Sequence, residues 1–413
     1  MARREVGLGT AGGPADHAAM RRANRALVLD QLRRTGTSSR SEIAEETGLA
    51  PPTVTMIVND LLQEDLVSET GTGRSSTGAG RPRVLLKFNA RSAYLLAVHV
   101  GVLRTTVVVG DALATPLTSS TMPTPRSKPR EALRSIASLA LDTLARAEAD
   151  RSLLSIASFT LPGLVNDAGT LLLAPNLGWR NVKVAEILSP IFGVPVIANN
   201  VTNASLVAEA REGAASGEQD VVLVYAGTGV GAAILSGGHL LTGARGIAGE
   251  FGHSRAVPDG APCSCGKTGC LETLVSAEAV AATAVARWKS KRVHVTPVDA
   301  EAGVTAVDVA LAANRGDAIA TAVLEEAGTR LGEASAWLVN AFNPGCMVLA
   351  GGLALAGSRF FDSFRAGVER EAMPEALSGL RIRPFALGQD SEVRGALLLA
   401  AEGSRTLGTT RSG

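Results

Sequence analysis

The sequence has almost no net charge and no apolar stretch at its start, and each shortage excludes a class of protein. Its 40 basic residues nearly balance its 39 acidic ones, for a formal net charge of +1, which excludes a wholly basic chain that coats nucleic acid. Any DNA binding must therefore come from a local patch. The first twenty residues contain Arg3 and Arg4 but no apolar run, so residues 1–19 are predicted to be a disordered tail rather than a signal peptide or an anchor.

Cysteine is also scarce. Only four cysteines are present, and two of them, Cys263 and Cys265, are one residue apart. Such spacing suits metal binding better than the disulfide framework of a secreted domain. We therefore expect a reducing, cytoplasmic setting.

Charged residues are missing from residues 221–244, a run long enough to span a bilayer. Five glycines between positions 227 and 238 divide it into short β-rich pieces that read VVLVY and AAIL. Glycines at this density are typical of turns between short strands, so the pattern predicts two core strands of a hairpin and no membrane span.

Three short amphipathic patterns near the N-terminus have the order of a helix-turn-helix. They cover residues 23–34, 41–47 and 52–63. The apolar face of the first is predicted to contain Leu27 and Leu32, together with Ala26 and Leu29. Ser41 is predicted to cap the N-terminus of the second helix.

The third pattern has the features of a recognition helix. Pro52 stands near its start, where proline is tolerated, and its predicted buried stripe consists of Val54, Ile57, Val58 and Leu61. The residues left facing outward are Thr53, Thr55, Met56 and Asn59. Small hydroxyls and an amide near a helix N-terminus are suited to phosphates and base edges in a major groove.

Residues 71–83 form a basic loop between two predicted strands. The loop contains three arginines and no acidic residue, as expected of the wing of a winged helix, and Gly80-Arg81-Pro82 resembles an insert for a narrow, A·T-rich minor groove. A plain helical bundle followed by a solvated linker is the alternative. The predicted DNA contacts are Arg40, Ser41, Pro52, Thr53, Thr55, Met56, Asn59, Arg74, Arg81 and Arg83.

From Tyr94 onward, strands alternate with helices, which predicts an α/β domain with two lobes and a cleft between them. Long helices are predicted at residues 277–287 and 317–342, followed by a strand at residues 346–350. We therefore expect a winged helix-turn-helix at residues 20–90, an α/β domain at residues 91–403 and a flexible tail at residues 404–413.

The sharpest local motif is Cys263-Ser-Cys265-Gly-Lys-Thr-Gly-Cys270, with His253 ten residues before it. One imidazole and three thiolates form a closed tetrahedral zinc site, and the two glycines allow the loop to wrap round the metal. Redox-active or merely buried cysteines are the alternative. Cys346 lies apart in an apolar strand, as expected of a packing residue.

These motifs resemble the ROK family of repressors, uncharacterised reading frames and sugar kinases, which includes N-acetylglucosamine and xylose repressors. The resemblance also rests on the segments Gly249–His253, Leu161–Gly163, Pro175–Leu177 with Trp179, and Gly227–Gly231. It implies an actin-like, two-lobed ATPase fold behind the winged helix-turn-helix, with the N-terminal domain marking the regulator branch. It also implies that the sugar ligands are Gly163, Asn200, Glu250, His253 and Glu272.

Two segments depart from the kinase members of this family. The kinases have Glu-Asn-Asp-Ala-Asn-Ala, whose Asp is the catalytic base, whereas this chain has Asn-Asn-Val-Thr-Asn-Ala with Val201 at the Asp position. Valine cannot accept a proton. The first phosphate loop of the kinases, Asp-x-Gly-Gly-Thr, is replaced by residues 99–103, where Val102 and Leu103 are expected to crowd a nucleotide. The matched carboxylates Glu250 and Glu272 have a second interpretation, as partners of the zinc ligands.

The sequence therefore predicts a transcriptional repressor without phosphotransferase activity, gated by a sugar or sugar derivative. Its expected partners are a double-stranded DNA operator, the sugar and further copies of itself as a dimer or tetramer, because winged helices usually read two symmetric half-sites. His253 is expected to bind zinc through one nitrogen and the sugar through the other. The alternatives are an active sugar kinase with a DNA-binding appendage and a regulator whose large domain only forms oligomers.

Overall fold

The computed structural model describes residues 17–73, 83–293, 295 and 303–411. The chain divides into two compact units. The first comprises the chain up to Ala93, the short segment Asp111–Thr115 and the chain end from Glu402, and the second comprises the remainder.

The first unit contains three helices and an antiparallel sheet of order β1-β3-β2. Its elements are α1 (His17–Thr35), β1 (Thr37–Ser39), α2 (Arg40–Thr47), α3 (Pro51–Gln63), β2 (Val67–Gly73) and β3 (Arg83–Phe88). One apolar core joins the helices to the sheet, with Leu32, Ile43, Leu61 and Leu86 fully buried. This order of elements is a winged helix-turn-helix.

Two local predictions for this unit are wrong. Leu27 is 47% exposed, and its neighbour Val28 is fully buried in its place, because a one-residue error rotates a helical position by about 100°. Ser39, and not Ser41, caps α2. Its hydroxyl accepts a hydrogen bond from the Glu42 N–H, and the Glu42 carboxylate accepts one from the Ser39 N–H at 2.8 Å, so that this reciprocal pair fixes the start of the helix.

The second unit contains the remaining elements, apart from the end of the last helix, which belongs to the first unit from Glu402 onward. Those of its first half are β4 (Tyr94–Val100), β5 (Arg104–Asp111), β6 (Pro116–Pro123), α4 (Pro129–Arg146), β7 (Leu154–Leu161), β8 (Leu164–Val165), β9 (Thr170–Ala174), β10 (Trp179–Lys183), α5 (Val184–Phe192), β11 (Val196–Asn200) and α6 (Val201–Glu212). Those of its second half are β12 (Val221–Ala226), β13 (Val230–Ser236), β14 (His239–Leu240), α7 (Glu272–Val275), α8 (Ala277–Lys291), α9 (Ala306–Asn314), α10 (Ala318–Phe342), β15 (Cys346–Ala350), α11 (Ser358–Glu371), α12 (Pro374–Leu377), β16 (Arg381–Pro384) and α13 (Ser391–Arg411).

Two five-stranded sheets give this unit its two lobes. Their orders are β11-β7-β4-β5-β6 and β14-β13-β12-β15-β16, with parallel pairing of β4, β7 and β11 in one and of β12, β15 and β16 in the other. The central strands are buried almost throughout, as is usual for parallel strands covered by helices. The predicted α/β architecture with an actin-like, two-lobed form is confirmed, and so is the β12–β13 hairpin.

The structure differs from the sequence analysis or adds to it in several places. A helix that was not predicted, α9, lies between the two long helices that were. The predicted flexible tail at residues 404–413 is instead helical up to Arg411. It continues α13, whose first half is anchored by buried residues. At the other end, α1 begins at His17, inside the predicted tail of residues 1–19. Within the described ranges, no helix has both the length and the apolar character needed to cross a bilayer.

Candidate functional site

The recognition helix α3 presents a polar face to solvent. Its buried stripe of Val54, Ile57, Val58 and Leu61 is at most 3% exposed, and this fixes which residues point outward. Thr55, Met56 and Asn59 are exposed, and Thr53 is half-buried. The exposure predicted for this face is confirmed for three of its four residues, while their contact with DNA stays a prediction.

Charged side chains surround this face and pair with one another. The Arg40 guanidinium donates a hydrogen bond to Asn59 Oδ1 at 3.3 Å and lies 3.5 Å from the Glu69 carboxylate. Arg83 lies 3.6 Å from Glu42 in the same way. The two acids were not anticipated, since nothing in their spacing from Arg40 and Arg83 predicts the pairing. The remaining predicted contacts are Ser41 and Pro52, which are exposed, and Arg74 and Arg81, which lie outside the described residues.

Four predicted metal ligands converge in the second unit. The donor atoms of His253, Cys263, Cys265 and Cys270 all lie within 4.8 Å of one another. Cys263 Sγ is 3.5 Å from His253 Nδ1, and Cys265 Sγ is 3.6 Å from Cys270 Sγ. A tetrahedral zinc ion with its usual bond lengths would set these separations at about 3.6 Å and about 3.8 Å. The cluster therefore has the dimensions of a closed tetrahedral metal site.

The thiol chemistry of the cluster also fits a cation. Burial and the neighbouring thiols of Cys265 and Cys263 raise the pKa of Cys270 to about 12. Thiolates this close together repel one another, and a divalent cation removes that repulsion while ligating all of them. The loop that carries the ligands has little regular structure beyond the bridges of Arg255 with Cys270 and of Pro262 with Thr268.

The carboxylates Glu250 and Glu272 lie beside the metal cluster. Glu250 Oε2 is 3.7 Å from Nε2 of His253, the nitrogen turned away from Cys263. Glu272 Oε2 accepts a hydrogen bond from the Val230 N–H at 3.0 Å. Burial and the negative charge of Glu272 raise the pKa of Glu250 to about 7. Both interpretations of these carboxylates, as sugar ligands and as partners of the metal ligands, are compatible with this geometry.

The other two predicted sugar ligands, Gly163 and Asn200, form a second group. Asn200 Nδ2 donates to the Gly163 carbonyl at 2.6 Å, while Asn200 Oδ1 caps α6 by accepting from the Thr202 N–H. Gly163 has φ +102°, and a Cβ there would lie 2.1 Å from the Leu173 carbonyl oxygen, so no other residue fits. The Gly163–Asn200 group and the Glu250 group approach each other at Gly231. A Cβ at Gly231 would lie 3.5 Å from Thr202 Oγ1 and 3.7 Å from the Gly249 carbonyl oxygen.

The two segments that were predicted to depart from the kinases make contacts within the protein. Val201, predicted to stand at the position of the base, is the first residue of α6 and only 8% exposed. In the first loop, the Gly101 N–H donates to the Arg104 carbonyl at 2.9 Å, so it is not free to meet a phosphate. The Leu103 side chain is 73% exposed, and the crowding of a nucleotide by Val102 and Leu103 stays a prediction.

The burial of His99, in the same segment, leads us to expect that the stability of the fold depends on pH. Its Nδ1 is 3.2 Å from Thr160 Oγ1, and burial lowers its pKa from 6.5 to about 4. The unfolded chain therefore binds a proton at a higher pH than the folded chain does. The contribution of neutral His99 is complete above pH 6.5 and is lost as the pH falls from 6.5 to 4, a loss of up to about 3 kcal/mol.

His99→Gln tests this expectation, because glutamine keeps a polar group beside Thr160 and does not titrate. Urea unfolding at pH 7 and at pH 4.5 should show a smaller difference for the variant than for the wild type. If both proteins lose equal stability on acidification, His99 is not the responsible group.

Both units of the chain match known protein families. A model described as the ROK family matches residues 95–403, and one described as winged helix-turn-helix DNA-binding matches residues 22–68. A glucokinase of Halalkalibacterium halodurans is 38% identical over 57% of this chain and 72% of its own length. The DNA-binding transcriptional dual regulator NagC of Escherichia coli K12 is 30% identical over 86% of each chain. A solved structure described as a ROK family transcriptional regulator, homologous to the E. coli MLC protein, superposes with a TM-score of 0.80 at 26% identity, covering 96% of this chain and all of its own.

Proposed function

The chain belongs to the ROK family, and we propose that it is a DNA-binding repressor whose affinity for its operator is controlled by a sugar. One observation carries the proposal: a winged helix-turn-helix precedes a ROK domain on a single chain, with the polar face of α3 free of core contacts. The likeness to a bacterial regulator over most of both chains supports it. We also propose a homo-oligomer, since two winged helices read two symmetric half-sites.

The proposed sugar ligands are Gly163, Asn200, Glu250, His253 and Glu272. Carboxylates, an imidazole and an amide on neighbouring loops suit the hydroxyl groups of a sugar. His253 would connect the sugar to the metal loop, because its Nδ1 faces Cys263 and its Nε2 faces Glu250. A ligand that binds one arrangement of this loop better than another shifts the protein toward that arrangement.

Zinc is the metal that we propose for the cluster of one histidine and three cysteines. Four protein ligands leave no open position for a reacting water, so the metal would be structural. The same four side chains would hold the loop after residue 253 in one conformation, with His253 oriented toward Glu250.

We expect the purified protein to show no phosphotransferase activity with ATP and common hexoses or pentoses. Val201 cannot remove a proton from a sugar hydroxyl, and the Gly101 N–H is already paired within its turn. A coupled assay of ADP release measures this, with a ROK glucokinase as positive control. Robust turnover by the wild type would instead favour the alternative of an active kinase with a DNA-binding appendage.

The alternative in which the large domain only forms oligomers is tested separately. Genomic footprinting of bound sites, with neighbouring genes identified, gives the operator and a shortlist of sugars. Thermal unfolding with those sugars should then show stabilisation by at least one of them, as expected for a ligand of the folded state. Operator binding without stabilisation by any sugar would favour the oligomerisation alternative.

A further inference from the structure

The second unit has a cavity of about 290 Å³ that none of the five proposed sugar ligands lines. This volume is just below the range of about 300–1,000 Å³ that is usual for small-molecule sites. Three segments form it: the turn between β8 and β9, the strand β11 and the loop after β14. Among the lining residues are Val165, Asp167, Ala168, Ile197, Asn199 and Thr242.

The segments that line the cavity lie close in the chain to three of the proposed sugar ligands, Gly163, Asn200 and Glu250. Asn199 lines the cavity and directly precedes Asn200 on β11, and Val165 follows Gly163 by two residues. The loop after β14 approaches the β8–β9 turn closely at Gly246, where a Cβ would lie 2.5 Å from Asp167 Oδ1. This loop then leads directly into Gly249 and Glu250.

The lining has the chemistry of a neutral polyol site. Val165, Val196 and Ile197 provide an apolar wall, while Asp167, Asn199 and Thr242 provide polar side chains. Within the described ranges, these three polar side chains form no hydrogen bond with the protein, so their donors and acceptors are available. Among the residues that the structure describes, no lysine or arginine lines the cavity, which disfavours a phosphorylated ligand.

We propose that the effector is a disaccharide or a comparable neutral glycoside, a proposal that rests on the sugar-controlled function proposed above. One sugar unit occupies the site of Asn200, Glu250, His253 and Glu272, and the unit attached to it enters the cavity. The apolar wall faces the C–H surface of this second ring, and Asp167, Asn199 and Thr242 bind its hydroxyls.

Calorimetric titration of full-length protein tests the proposal with matched pairs of sugars. The pairs are glucose with cellobiose, xylose with xylobiose, and N-acetylglucosamine with its β-1,4 dimer. For one pair, the wild type should bind the disaccharide at least about tenfold more tightly than the monosaccharide, which corresponds to about 1.4 kcal/mol.

Ala168→Phe fills the cavity from the exposed turn between β8 and β9, and this variant should lose the tenfold preference. Ala145→Phe places the same side chain on an exposed position of α4, away from the cavity, and should keep it. Asn199→Ala, which removes an amide and adds no bulk, should reduce the preference by a smaller factor. Thermal unfolding establishes that each variant is folded.

The possible outcomes distinguish failure of the cavity proposal from failure of the sugar-controlled function. If monosaccharides bind and no disaccharide binds more tightly, or if the preference survives in Ala168→Phe, the cavity proposal is overturned and the sugar-controlled function stands. If no sugar binds at all and operator binding is intact, both proposals are overturned.

Discussion

Purified wild-type protein should contain about one zinc ion per chain, and Cys263→Ala or Cys265→Ala should reduce this to almost none. The four donor atoms have the separations of a tetrahedral site, and removal of one ligand opens it to water and weakens metal binding greatly. Elemental analysis of dialysed protein measures the metal content. Equal metal content in variant and wild type would refute the assignment.

The same cysteine substitutions should lower the free energy of unfolding by several kcal/mol, because metal binding free energy is also folding free energy. Backbone hydrogen bonds within the loop between His253 and Cys270, such as that from the Ala256 N–H to the Gly269 carbonyl at 2.8 Å, would remain, so the expected loss is that of the metal's own contribution. Cys346→Ala is the matched control. It removes a buried thiol from β15, so it should lose some packing energy while keeping the full complement of zinc.

Asn59→Ala should weaken operator binding by about 10- to 100-fold and should blur the preference for particular bases. Asn59 is exposed on α3, and the hydrogen bond from Arg40 orients its amide. An amide that contacts a base edge contributes about 1–3 kcal/mol of discrimination. Thr55→Ala is expected to act in the same direction with a smaller effect, because the Thr55 hydroxyl already donates to the Pro51 carbonyl.

Fluorescence anisotropy with the operator and a panel of single-base variants measures both affinity and preference. Leu27→Ala is the control, since Leu27 is an exposed residue of α1 outside the recognition helix. A uniform loss of affinity on every sequence would mean that Asn59 contacts only the DNA backbone. Unchanged binding by Asn59→Ala would remove α3 from its proposed role.

Strong periodicities and close spacings allowed much of this protein to be predicted from its sequence. The buried stripe of α3 repeats at helical spacing, and the β12–β13 hairpin follows from glycines between apolar runs. The metal cluster was predictable because three of its ligands lie within eight residues, so that local chain geometry alone brings them together.

Other features could not be predicted, because they depend on contacts distant in sequence or on choices between similar residues. Ser39 and Ser41 are both acceptable caps, and only the reciprocal bond with Glu42 decides between them. Arg40 meets Asn59 through the packing of α2 against α3, and it meets Glu69 through the position of β2. The cavity joins segments that are up to about 80 residues apart, and no local pattern of any one segment indicates it.

The most direct test of the central claim is a titration of the operator with full-length protein in the presence and absence of each sugar. At least one sugar should change the dissociation constant for the operator by about 5- to 150-fold, the usual range for coupling between two sites. The same sugar should not be phosphorylated when ATP is added. If every sugar that binds the protein leaves operator affinity unchanged, the protein is not a sugar-controlled repressor.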